Sequence, residues 1–190
     1  MIIVLLGASG SGKSTLENII SENYGFEKII SFTTRPKRDT EVDGKDYYFT
    51  TNEIFKRSIK NNRFAEWDEY SQNRLYGTLK PNYESGNKVV VLTPNGLRQV
   101  KRNCKDVDIF SVLVEANLGT RIKRYIDRCG VDKFNFDDKN EVAARVERDY
   151  SMFLGLKNEV DMVVHNDEGT DISKLSKEIY ENAKKKENGR

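Results

Sequence analysis

The chain predicts an α/β fold, three layers deep, with a parallel sheet at its centre. Three features of the 190 residues predict it. Short apolar runs rich in Val and Ile alternate with helical patterns. The runs, such as IIVLL and KVVVLT, are near-continuous, as expected of strands covered on both faces. The helical stretches each carry one apolar stripe.

The first strand is Ile2–Leu6. A turn follows, then a helix from about Lys13 with the stripe Leu16, Ile19 and Ile20. Further strands are predicted at Lys28–Phe32, Lys88–Thr93, Asp108–Val114 and Asp161–His165. Ile172, Leu175, Ile179 and Ala183 mark a last helix, capped by Asp171, and the tail KKKENGR reads as a frayed end. Residues 33–85 break this rhythm. They are polar and aromatic, with DYYFT, a short helix opened by Thr50 and Glu53 as a capping box, then FAEWDEY and RLYGT. That composition describes a small mixed insertion with its own strands. Residues 119–157 form a second excursion, helical and charge-dense, interrupted at CGVDKFNFDD. The expectation is one domain: a core from 1–32, 86–118 and 158–190, an insertion at 33–85 and a helical region at 119–157.

Lys and Arg number 32 against 30 Asp and Glu, a net +2 with the signs interspersed, so no basic stripe marks a general nucleic-acid binder. Cys104 and Cys129 lie far apart without metal-ligand spacing and read as free thiols in a reducing compartment. The apolar opening ends at Gly7, too short for a signal peptide, and no run approaches the ~18 residues that cross a bilayer. A soluble cytoplasmic protein without membrane or nucleic-acid partners is expected.

The turn after the first strand is GASGSGKS, Gly7 to Ser14, which fits G-x-x-x-x-G-K-[ST]. Glycines let successive backbone N–H groups curl inward and leave room for phosphate oxygens. The following helix points its positive end at the same place. Gly7, Ala8, Ser9, Gly10, Ser11, Gly12, Lys13, Ser14 and Thr15 are therefore the candidate nucleotide-binding residues. Lys13 supplies a mobile charge for the β- and γ-phosphates, and the Ser14 hydroxyl can ligate Mg²⁺. A Gly/Ser-rich loop can match by chance, but rarely between a predicted strand and helix. The loop is read as holding a nucleoside triphosphate.

SFTTRPKR places Ser31, Arg35 and Arg38 directly after a strand. Alone, it is as well explained as a solvated basic turn. Downstream lie EVDGKDYYF, FAEW and LYGT, and together these spacings resemble the guanylate kinase family. Its pattern S-x-T-T-R-x-x-R…G-x-x-Y-x-F…F-x-E…Y-G-[ST] is matched by Ser31, Thr33, Thr34, Arg35, Arg38, Gly44, Tyr47, Phe49, Phe64, Glu66, Tyr76, Gly77 and Thr78. The resemblance implies a P-loop kinase core, a nucleoside-monophosphate-binding insertion and a helical lid. It also implies transfer of a phosphoryl group from ATP to GMP, and to dGMP, with Mg²⁺. By the same resemblance Arg35, Arg38, Tyr47 and Tyr76 grip the acceptor phosphate, where guanidinium forks suit a doubly charged group. Ser31, Glu66 and Thr78 read the base: a carboxylate at Glu66 accepts from guanine N1–H and N2–H₂ while Ser31 or Thr78 donates to O6. Adenine has no N1–H and would leave Glu66 unpaired.

Arg121, Arg124 and Arg128 recur on one helical face, and Arg145 and Arg148 repeat the spacing later; such stripes usually meet solvent. The resemblance instead assigns Arg128 and Arg145 to a lid that neutralises charge on the transferred group, so that Lys13, Arg35, Arg128 and Arg145 are the expected catalytic set. Two departures from the family pattern stand out. Val91 and Thr93 occupy the places of a D-x-D pair that helps organise Mg²⁺ and the acceptor, with Asp68, Glu69 and Glu115 as candidate replacements. SQNRLYGT is also one residue longer than expected on the way to Tyr76. His165 reads as structural, and Asn166–Asp167 as a loop on the adenine side. Two alternatives remain beside a guanylate kinase: a kinase of the same fold with another phosphorylated acceptor, or a non-catalytic binding module of that fold.

Overall fold

A computed structural model describes residues 1–71, 73–129 and 136–189. In β1 (Ile2–Leu6), Ile2, Val4 and Leu6 join one apolar cluster and Ile3 and Leu5 another, all at most 2 % exposed. A strand apolar on both faces must be covered on both. It lies between β7 (Lys88–Val91) and β8 (Ile109–Glu115), flanked outside by β2 (Glu27–Lys28) and β9 (Met162–His165). All four pairings in the order β2-β7-β1-β8-β9 are parallel. One face packs on Leu97 and Val100 of α3 (Pro94–Asn103). The other packs on Leu16 and Ile20 of α1 (Lys13–Tyr24) and on Leu175, Ile179 and Ala183 of α6 (Ile172–Asn188). Ile19 and Ile172 are only partly buried.

The insertion forms a second sheet in the order β4-β3-β6-β5, from β3 (Phe32–Thr33), β4 (Tyr48–Phe49), β5 (Phe64–Ser71) and β6 (Arg74–Leu79). Phe55 of α2 (Asn52–Lys60) packs on Phe64 and Leu75 to give it a core of its own. α3 braces β5, because Gln99 exchanges two hydrogen bonds with the Trp67 backbone and Asn103 Nδ2 donates to Ala65 O at 2.7 Å. The helical excursion consists of α4 (Leu118–Cys129) and α5 (Phe136–Phe153), and the interruption expected at CGVDKFNFDD lies largely outside the described residues.

Four expectations are corrected. Lys28–Phe32 is not one strand: Ile29 N still donates to Val89 O, but the chain then leaves the core, and Ser31 O accepts from Tyr48 N in the insertion. One apolar run serves two sheets. The strand at 88–93 stops at Val91, because Thr93 caps α3 by accepting from Gly96 N at 3.0 Å. The cap of α2 is Thr51, not Thr50, whose N–H is committed to Thr33 O. The tail is helical through Asn188, held by Lys186, whose ammonium donates to Asp161 Oδ1 at 2.5 Å and to Ile109 O at 3.1 Å. Asp171 caps α6 as expected, accepting from Ser173 N and Lys174 N.

Candidate active site

The loop from Gly7 to Lys13 joins β1 to α1 at the C-terminal edge of the parallel sheet, where open α/β sheets bind ligands. Two glycines are required sterically. A Cβ on Gly7 would lie 2.2 Å from Val114 O, and one on Gly12 (φ 95°) would lie 2.1 Å from Asn166 Nδ2. Three of the loop's carbonyls accept from donors on two other segments. Asn166 Nδ2 bonds Ser11 O at 2.8 Å, Arg121 Nε bonds Ser9 O at 2.9 Å, and Arg124 Nη1 bonds Gly10 O at 3.1 Å. Arg121 and Arg124 thus hold the loop rather than face solvent, and Asn166 of the expected adenine-side pair clamps it. Asp167 caps the next segment instead, accepting from Asn117 N at 2.6 Å.

An anion already touches this loop. Asp149 on α5, 2 % exposed, accepts from Ser9 N at 2.9 Å, from Tyr70 OH at 3.0 Å and from the Arg121 guanidinium. A loop amide donating to a carboxylate shows that the turn presents donors to anions. Lys13 Nζ donates to Ala8 O at 2.9 Å. Burial lowers its pKa to about 8 although Asp149 works against the shift.

A cavity of about 180 Å³ faces the loop, bringing Lys13, Ser31, Tyr47, Glu66, Tyr76 and Arg145 together. An adjoining cavity of about 250 Å³ shares Ser31, Tyr47 and Val91 with it and adds Ser14, Arg38 and Arg128. Arg35 is 7 % exposed and gripped by Glu41, Nη1 to Oε2 at 2.9 Å and Nη2 to Oε1 at 2.7 Å. Its guanidinium lies over Tyr47 and Phe49. Glu41 also accepts from Arg38 N at 2.9 Å, so one carboxylate positions both arginines. Burial opposes its ionisation, yet Arg35 and Arg38 hold the Glu41 pKa below its ordinary value. Sequence reading passed over Glu41, although it begins the EVDG stretch six residues after Arg35.

Glu66 is 4 % exposed, and a Cβ on Gly96 would lie 2.8 Å from its Oε2, so a glycine in the first turn of α3 makes room for it. Burial raises the Glu66 pKa to about 7, partly offset by bonds from Thr78 and reinforced by the charge of Asp68. Thr78 sits behind Glu66 rather than on the cavity wall. Fully buried, its hydroxyl donates to Glu66 Oε1 at 2.7 Å and lies 2.8 Å from the Tyr83 hydroxyl. Because that proton goes to Glu66, Tyr83 is the donor to Thr78. Tyr83 was not anticipated, since a tyrosine in KPNY carries no local signal.

Val91 lines both cavities. Of the three candidate acids, Asp68 reaches Thr93, whose hydroxyl donates to Asp68 Oδ2 at 2.5 Å, whereas Glu69 accepts from Asn73 N and Glu115 pairs with Lys157. On the way to Tyr76 the pairing of β5 and β6 shifts register between Glu69 and Ser71, and Asn73 takes φ 59°. Tyr76 still lies opposite Asp68 and beside Thr33. Arg128 and Arg145, on different helices, both lie over the Tyr125 ring, at 5.5 and 5.4 Å. His165 is exposed at its strand end, 3.7 Å from Glu115. Among the described residues, no three His, Cys, Asp or Glu side chains cluster to hold a metal, and no helix is long and apolar enough to cross a membrane.

Comparison with known proteins bears on the family and the fold. The guanylate kinase family model matches residues 1–183. A guanylate kinase of Streptococcus pyogenes is 34 % identical over 188 residues, covering 95 % of this chain and 85 % of its own. One from Streptococcus thermophilus is 33 % identical over 88 % of this chain and 79 % of its own. A guanylate kinase of Lactobacillus delbrueckii is 39 % identical over 127 residues, a match spanning 63 % of this chain and 61 % of that relative. In fold, the crystal structure of guanylate kinase from Anaplasma phagocytophilum superposes with a TM-score of 0.71 at 21 % identity, covering 98 % of this chain and 85 % of its own.

Proposed function

The chain belongs to the guanylate kinase family and is an ATP-dependent kinase of GMP; from that premise we propose which of its residues do the work. The supporting observation is that one cavity is lined both by Lys13 of the phosphate loop and by the buried acid Glu66. ATP lies with its phosphates on the amides of Gly7–Ser14, with Lys13 neutralising the charge that builds on the transferred group. The acceptor phosphate is held by Arg35, Arg38, Tyr47 and Tyr76, and its oxygen, already anionic, attacks in line without a general base. Arg128 and Arg145, steered by Tyr125, complete the charge around the transferring phosphoryl. Ser31 donates to guanine O6 and Glu66 accepts from its N–H groups, with Thr78 and Tyr83 positioning Glu66.

The family implies a divalent cation, here Mg²⁺. Exposed Ser14 in the first turn of α1 offers it a hydroxyl oxygen, which suits an ion that keeps several waters and takes other ligands from phosphates. When bound it would neutralise phosphate charge. The partners are then the small molecules ATP, GMP and dGMP. A cytoplasmic setting, where Cys104 stays a thiol, completes the reading.

A coupled ADP-release assay over GMP, dGMP, AMP, UMP and CMP tests it. Only the two guanine nucleotides should be turned over, and Lys13→Ala or Arg35→Ala should lower kcat/KM for GMP by about 100-fold or more. Background rates on every acceptor with the unaltered protein would overturn it.

A further inference from the structure

The geometry points to Asp68 as a second reader of the acceptor base: we propose that its carboxylate accepts a hydrogen bond from the exocyclic amino group of guanine, beside Glu66. The inference rests on the reading of the site as a GMP pocket. Glu66 and Asp68 are two residues apart on β5 and so share a face, and both line the cavity with Ser31. Guanine offers three hydrogens along that edge, one on the ring and two on the amino group. Glu66 already accepts from Thr78 on Oε1. Its remaining lone pairs suffice for the ring N–H and one amino hydrogen. The second amino hydrogen needs another acceptor, because a buried donor left unpaired weakens binding.

Asp68 is held for that task from outside its own strand. Thr93 donates to Oδ2 at 2.5 Å and Asn95 Nδ2 to Oδ1 at 3.2 Å, while Glu69 N donates to Oδ1 at 3.0 Å. The Thr93 oxygen in turn accepts from Gly96 N, which fixes where its proton points. A carboxylate accepts about four hydrogen bonds, so one place stays open for the ligand. The charge of Asp68 also acts on Glu66, adding to the upward shift that burial imposes and marking the two groups as one acidic wall. Asp68 belongs to the insertion sheet while Thr93 and Asn95 belong to the core. The amino group is thus read by an acid whose position depends on both the insertion sheet and the start of core helix α3.

Inosine monophosphate lacks only that amino group and isolates the contact. Initial rates with GMP and IMP are measured for the unaltered enzyme, Asp68→Asn and Asp68→Ala, with calorimetric binding of both nucleotides as a measurement independent of turnover. The unaltered enzyme should prefer GMP, and Asp68→Asn, whose amide presents hydrogens to the amino group, should cut the GMP/IMP ratio of kcat/KM by about tenfold or more. Asp68→Ala should do so with the same trend in affinity. A ratio that survives both substitutions, with the two substrates falling together, would reduce Asp68 to a brace between β5 and α3 and overturn the proposal. An unaltered enzyme active on GMP but indifferent to the amino group would overturn it too, leaving the kinase reading intact. Inactivity on both nucleotides would instead remove the reading on which it rests.

Discussion

Glu66 illustrates how a single side chain is set by its surroundings. Burial raises its pKa to about 7, so near neutrality its carboxyl is divided between acid and anion. On the proposed reading, the anion is the form that accepts from two guanine N–H groups. GMP therefore favours it and should lower its pKa on binding. Affinity for GMP should tighten as pH rises through about 7 and level off above. Below that it should weaken by up to about tenfold per unit. Calorimetry from pH 5.5 to 8.5 measures this, with Glu66→Gln as control, since only the ionisation of the GMP phosphate itself then remains. The same slope in Glu66→Gln would disprove the assignment. The type of this residue was legible in FAEW through the family pattern, whereas its ionisation was not. That depends on Gly96 and Thr78, which reach it from α3 and from β6.

At the scale of elements, α5 matters most to the loop between β1 and α1. It delivers Asp149 to the phosphate loop, where the carboxylate takes Ser9 N and binds Arg121 of α4, and it delivers Arg145 to Tyr125. Tyr70 of β5 bonds the same carboxylate, so α5, the loop after β1 and β5 meet at one group. Asp149→Asn keeps the shape but removes a negative charge from beside the phosphates. ATP binding measured without GMP should tighten several-fold; weaker binding would mean that Asp149 orders the loop instead of competing for it. Arginine spacing in the sequence marked these helices as basic faces. It was silent on their partners, because Ser9 and Asp149 lie 140 positions apart and no periodicity connects them.

For the whole molecule, stability and chemistry reside at different ends. Ile179 is fully buried on α6 in the cluster backing the parallel sheet, away from both cavities. Ile179→Ala should destabilise the fold by about 2–5 kcal/mol in denaturant titration. KM for ATP and GMP should not change in the folded enzyme, and a changed KM would show that the back layer controls the site. By itself the sequence determined the parallel core, the strand–turn–helix around Gly7–Ser14 and the cap at Asp171, because burial periodicity, helix caps and glycine-rich turns are local physics; the residues proposed for the acceptor pocket were legible only through the family pattern. Only the tertiary structure decided where the run at 28–32 divides between two sheets, that Thr50 yields the cap to Thr51, that Glu41 aims Arg35 and Arg38, and that Asp68 rather than Glu69 or Glu115 meets Thr93. Each of these is a choice among chemically similar neighbours. It is made by which hydrogen-bonding groups the packed sheets and helices bring within about 3 Å.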